Sequence, residues 1–168
     1  MNFDHGFFVA AIAGLGGVQQ LIFPAALVGI AHGDDSVPGI GNMPLSNIRP
    51  ELRTTPAGRF VASLGHDLGK LDVLWVDYDD AISLHRVITT NPAEHRLQRL
   101  ATATPLDNRI SYGCINVPAK FFDRVVQSAF IKNGGIVYIL PEIKSMREVF
   151  PAYKEVEERA ALSVLYPN

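Results

Sequence analysis

The chain has one cysteine, Cys114, among 168 residues. It therefore holds no internal disulfide, and the thiol is either inert packing or a reactive group. Histidine is sparse and scattered, with five residues and no close pair, which leaves no zinc-ligand spacing and no expected metal site. Neither sign of charge is in excess: Lys plus Arg number 15 and Asp plus Glu 17, a formal net charge of -2. No broad positive field is present to hold nucleic acid. Nucleotide signatures are missing as well. Gly14-Leu15-Gly16-Gly17 is followed by Gln19 where a dinucleotide fingerprint needs its third glycine, and no P-loop lysine follows; no cofactor is expected. No Lys or Arg occurs before Arg49, so the apolar run from Gly6 to Ala31 lacks the positive flank of a secretory signal.

What is present is enough apolar material, 48%, to bury one core without staples. We expect a single domain over 1–168, acting as a monomer, with an atypical amino terminus (1–24) and a helical tail (142–168). The apolar run is long enough for a membrane span or a signal core. Its Gly14, Gly16, Gly17, Gly29 and Pro24 suit turns between short buried strands better. That reading is preferred; a signal ending at Gly29-Ile30-Ala31 or an anchor is the alternative.

From His32 to Pro56 the composition is that of a long structured loop. Arg59 to Leu64 and Leu71 to Val76 have strand character, with a turn at Asp77-Tyr78-Asp79-Asp80. Ala81 to His85 alternates with period two, placing Ile82 and Leu84 on one face and Ser83 and His85 on the other, with His85 at the strand end. Asn91-Pro92-Ala93-Glu94 carries the marks of a capping box opening a helix to about Ala101, with Leu97, Leu100 and Ala101 inward. A second helix opens at Pro118 with Phe121, Phe122, Val125, Val126, Ala129 and Phe130 on one stripe. Asn133-Gly134-Gly135 ends it, and Ile136 to Leu140 reads as a buried strand.

The thiol sits in Arg109-Ile110-Ser111-Tyr112-Gly113-Cys114-Ile115-Asn116-Val117-Pro118. A helix start three or four residues beyond the sulfur, and a nearby histidine, favour a thiolate. Gly113, without a Cβ, allows a tight turn whose amides converge on an oxyanion. No histidine follows Cys114, so the base of a Cys–His pair lies upstream.

Ser111-Tyr112-Gly113-Cys114-Ile115-Asn116 resembles the Ser/Thr-His-Gly-Cys-x-Asn/Arg signature of the L,D-transpeptidases. Thr55-Pro56-Ala57-Gly58-Arg59-Phe60 resembles the Thr-Pro-x-Gly-x-aromatic element that precedes it. The likeness covers about residues 25 to 141. It implies a mainly β fold of small packed sheets with a few helices, one of them following the catalytic cysteine. It also implies a location in the periplasm or cell envelope. The implied activity is cleavage of a tetrapeptide stem of peptidoglycan at the carbonyl of its third residue, through a Cys114 acyl-enzyme that a second stem resolves as a 3-3 cross-link. Water resolves it as a carboxypeptidase product. Inhibition by carbapenems is implied in turn. Three departures stand out: Tyr112 replaces a histidine, Arg86 follows His85 where a glycine is common, and residues 1–24 do not resemble the family's opening strands.

The expected catalytic residues are Cys114, His85, Gly113 and Ser111. Tyr112, Asn116 and Arg109 are the expected substrate contacts, with two structural alternatives: Asn116 as a brace of the cysteine loop, which is preferred, and Arg109 as a loop anchor. His95 is the alternative base. The segment 96–110 between it and Ser111 matches the family's usual spacing, whereas 86–110 is longer. His95 falls in the capped helix, where an imidazole is commonly solvated; His85 ends a half-buried strand, a rigid mount. We therefore back His85 and read 91–101 as an insertion.

Overall fold

The computed structural model describes residues 9–14, 17–19, 26–102, 104 and 106–152. Within them the protein is mainly β, a curled mixed sheet with a few short helices. Strands β1 (Val9–Gly14), β2 (Gly17–Gln19), β3 (Val28–Gly29), β4 (Gly58–His66), β5 (Asp72–Asp77), β6 (Ile82–Arg86), β7 (Arg109–Ser111), β8 (Ile115–Val117) and β9 (Gly135–Ile139) follow in chain order. Seven form one sheet in the order β2-β1-β9-β4-β5-β6-β8, antiparallel except for the parallel β6–β8 pair. β3 and β7 pair in parallel beside it.

Local chemistry explains the central hairpins. Asp67 accepts the Leu71 amide on its carboxylate (2.8 Å) and the Lys70 amide on its carbonyl (2.9 Å), closing the β4–β5 turn. The Asp77 carboxylate does the same for Asp80 at the β5–β6 turn (3.2 Å). β6 then leaves the antiparallel meander and meets β8 in parallel, with Leu84 opposite Ile115 and His85 opposite Asn116. Side chains alternate along a strand, so Leu84 and Ile115 enter the core while His85 and Asn116 share the reverse face.

The core is sealed by the helical segment 119–130, which runs from α2 (Ala119–Phe121) through a π-helical turn (Phe122–Val126) into α3 (Gln127–Phe130). Its stripe follows the sequence pattern: Phe122, Val126 and Phe130 are fully buried against Leu74, Leu84, Ile115 and Val137, with Phe121 and Ala129 packed at the edge. Each fully buried phenylalanine is worth roughly 1.5–3 kcal/mol of transfer free energy.

The helix opens where expected, with Pro118 as its cap four residues after Cys114 and accepting the Phe122 amide; what the sequence did not show is that Ile115-Asn116-Val117 between them form β8, the parallel partner of β6. Several expectations are corrected. In the 91–101 segment Asn91 does cap, accepting the Ala93 amide (3.2 Å), but Glu94 turns to Arg96 rather than back to Asn91, so no capping box forms. His95 then adopts a left-handed conformation (φ 50°) that splits the segment into a 3-10 turn, Pro92–Glu94, and a helix α1, Arg96–Ala101. This break rotates the helix: Leu97 and Ala101 are exposed, and Arg96, Arg99 and Leu100 face inward. Ser145 closes a true capping box with Glu148 at the start of α4 (Met146–Val149). The rest of the expected helical tail, 153–168, lies outside the described residues. At the amino terminus strands are present where short strands were preferred, β1 pairing with β2 and β9. The alternative of a signal or anchor falls largely on residues outside the description. No helix among the described residues is long and apolar enough to cross a membrane.

Candidate active site

Cys114 sits half-buried at the entrance to β8, on the face shared by Ser83, His85 and Asn116. The loop that carries it, residues 111–114, is held on both flanks by the segment around β3. Leu27 exchanges backbone hydrogen bonds with Asn116 on one side (2.9 and 2.8 Å), and the Ile30 amide reaches the Ser111 carbonyl on the other (3.1 Å). Gly113 has φ +128°, and a Cβ there would lie 2.7 Å from both the Thr54 carbonyl oxygen and Ile82 Cδ1. The glycine is required by the close passage of the 54–55 backbone.

Polar side chains lock the loop from beneath. Thr55 Oγ1 accepts the Gly29 amide (2.9 Å) and donates to the Gly113 carbonyl (2.7 Å), so the Thr-Pro element noted in the sequence is a physical clamp on the cysteine loop. Ser111, buried, accepts the Gly113 amide (3.1 Å) and donates to the Cys114 carbonyl (2.6 Å). Both its contacts are to backbone, which makes it a positioning residue rather than a group at the sulfur. Because Ser111 occupies the Gly113 amide, the expected convergence of amides on an oxyanion falls to the Cys114 N–H, which no hydrogen bond among the described residues takes up. Asn116 is 1% exposed and donates to the Cys114 carbonyl (3.3 Å) while accepting from Arg96 (2.8 Å). That is the bracing role, with no surface left for a substrate.

The sulfur has Ser83 Oγ at 3.6 Å and the Ala81 carbonyl at 3.5 Å, and His85 beside it. His85 Nδ1 lies 2.7 Å from the Arg86 carbonyl; a carbonyl only accepts, so Nδ1 carries the proton and Nε2 is left for the thiol. Electrostatics couple the two groups. Burial works to raise the Cys114 pKa, but the hydrogen bond and charge of His85, with contacts to Ser83, outweigh it and hold the thiol below its ordinary value. Burial likewise works to lower the His85 pKa, and the Cys114 hydrogen bond and charge, aided by the Arg86 carbonyl, lift it above the ordinary imidazole value. Both shifts favour the thiolate–imidazolium pair. The contributions that lower the thiol come from His85 and Ser83.

The remaining expected site residues are placed differently. His95 is exposed on the 91–101 segment, and the group facing the sulfur is His85. Arg109 is an anchor: it donates to the carbonyls of Gly29 (3.1 Å) and Ala31 (2.9 Å) and pairs with Glu142, which also holds His32. Arg86 points away from His85, covering the Phe122 ring at 4.4 Å and pairing with Asp123 (2.7 Å). Tyr112, two residues before Cys114 and 38% exposed, is stacked under the Arg53 guanidinium at 3.8 Å. Sequence reasoning missed the roles of Ser83, Thr55, Arg53 and Arg96. The period-two alternation had already put Ser83 on the His85 face, but nothing in the sequence connected Arg53 or Arg96 to the loop.

A half-buried thiol beside an imidazole, each shifted toward its ionised form, together with an unengaged amide has the parts for covalent acyl transfer. Compared with known proteins, the chain matches no family model, no curated protein and no solved structure.

Proposed function

We propose that this chain is a cysteine acyltransferase of the L,D-transpeptidase type, acting on peptidoglycan stem peptides in the periplasm or cell envelope. The observation that carries the reading is the pairing of His85 on β6 with Cys114 at the entrance to the parallel strand β8, in a loop whose sequence resembles that family's signature.

In this reading the Cys114 thiolate attacks the carbonyl carbon of the third stem residue. The carbonyl π electrons move onto oxygen, where the Cys114 amide stabilises the negative charge. Collapse of the tetrahedral species breaks the C–N bond, and His85 gives its proton from Nε2 to the departing D-alanine amine. A thioester remains. The side-chain amine of a second stem then attacks it, His85 takes a proton back, and the C–S bond breaks to release a 3-3 cross-link and the thiolate. Tyr112, two residues before the thiol, and the Arg53 guanidinium stacked on it supply a wall against which a stem lies in this reading.

A hydrolase reading uses the same residues with water as the acceptor, and product analysis of digested stems separates the two. Intact-mass measurement after exposure to a carbapenem tests the chemistry they share. A stoichiometric adduct, absent in Cys114→Ala, is expected. A folded wild-type protein that forms no adduct and leaves tetrapeptide stems intact would instead point to a wall-binding module without turnover.

A further inference from the structure

Arg96 lies in the segment read from sequence as an insertion, yet it is not a surface residue. Its side chain is 12% exposed, its Nε pairs with Glu94 (2.5 Å), and its Nη1 donates to Asn116 Oδ1 (2.8 Å). Asn116 is itself fully buried and passes the contact on, its amide donating to the Cys114 carbonyl (3.3 Å) that Ser111 also holds (2.6 Å). The segment has a second tie to the cysteine strand. Arg99 donates to the Glu94 carbonyl (2.8 Å) and to the Asp107 carbonyl (2.6 Å), just ahead of β7.

We infer that Arg96 is a positioning residue of the active site: through Asn116 it sets the Cys114 loop, and it places a fixed cation beside His85. The inference rests on the Cys114–His85 pair being the reactive one. An Asn side chain can flip or drop either of its contacts. With Oδ1 held by a guanidinium, a pure donor, its amide nitrogen is forced toward the Cys114 carbonyl. The 91–101 segment is thereby a strap that completes the site.

The charge has a second effect. The groups facing His85 are Cys114 from the loop before β8, the Arg86 carbonyl and Ser83 from its own strand, and Arg96 from α1, with Glu94 compensating Arg96 in part. A neighbouring cation disfavours imidazolium, so Arg96 holds down a His85 pKa that Cys114 lifts. This keeps the imidazole able to give its proton away.

The test compares full-length wild type with Arg96→Met, Arg96→Lys and the strap control Arg99→Met. Three readouts are taken: the His85 titration by NMR of its ring proton, the pH profile of Cys114 alkylation by iodoacetamide, and the rate of carbapenem acylation by intact mass. Arg96→Met is expected to move the His85 midpoint upward and slow carbapenem acylation by about tenfold or more, the scale of a slightly misplaced reacting group. Arg96→Lys, which keeps the charge and one donor, returns the His85 midpoint toward wild type. Arg99→Met leaves it unmoved. An unmoved His85 midpoint and acylation rate in folded Arg96→Met overturn this inference alone. A wild-type Cys114 that alkylates like a free thiol overturns the reactive pair, and this inference with it.

Discussion

At the residue scale the site depends on an imidazole and a thiol in which burial, the largest single influence on each, is outweighed by their mutual contact together with Ser83 and the Arg86 carbonyl. The sign of each shift sets the pH behaviour. The thiol is held below its ordinary value, so thiolate forms at lower pH than it would without these contacts; His85 is held above its own, so imidazolium persists to higher pH. In the proposed reaction acylation is expected to follow a bell in pH, rising as the Cys114 thiolate forms and falling as His85 loses its proton. His85→Ala should slow acylation by about two to four powers of ten, the usual scale for a lost acid–base group. It should also move the alkylation midpoint above that of free cysteine, since burial is then opposed only by the Ser83 contacts. His95→Ala, at an exposed position, should match wild type. A dead, folded His95→Ala with an active His85→Ala would reverse the assignment.

At the scale of elements, rigidity comes from the cysteine loop being pinned between β3, the 54–55 backbone and β8. Gly113 is where this is tightest. Gly113→Ala must leave its φ of +128° or push a Cβ into the Thr54 carbonyl oxygen at 2.7 Å, a cost of about 1–3 kcal/mol for a residue held in such a conformation. A urea unfolding curve should show the loss, and acylation should slow by about tenfold or more as the sulfur shifts relative to His85. Unchanged unfolding together with an unchanged rate would mean that the loop is softer than its contacts indicate. The same scale explains the split of the 91–101 segment. Its Asn-Pro start is legible from sequence, but the left-handed break at His95 follows from Arg96 turning inward to Asn116, a demand made by a residue twenty positions on.

Over the whole molecule, distant parts of the chain are tied by a buried carboxylate. Asp34 accepts the amides of Glu142 (2.5 Å), Ile143 (2.8 Å) and Lys144 (2.6 Å), while its own carbonyl accepts from Ala57 at the start of β4. Hydrogen bonds to a charged group are worth about 1.5–3 kcal/mol each, so Asp34→Ala should destabilise the fold by about 3 kcal/mol or more, a large part of a typical domain's stability. Asp34→Asn, which keeps one carbonyl acceptor, should lose less. Because Asp34 does not touch Cys114, acylation at low temperature should be near wild type in both variants. A midpoint in urea that does not move in Asp34→Ala would count against the tie. Arg109 acts in the same structural sense, which is why an arginine two residues from Ser111 is not offered to substrate.

The sequence by itself determined the strands of the central meander, the helix stripe of Phe122, Val126 and Phe130, the turn at Gly113, and Cys114 with His85 as the candidate pair. These are written in period-two and period-3.6 alternation, in glycine's conformational freedom and in a lone thiol, all of which act within a few residues of chain. Only the tertiary structure decided that a strand stands between the cysteine and the helix opening at Pro118, that Ser111 and Asn116 brace the loop rather than meet substrate, and that Arg96 stands behind it. Parallel pairing of β6 with β8 joins segments about thirty residues apart, and buried polar groups choose partners by proximity in space. Neither is encoded in local pattern.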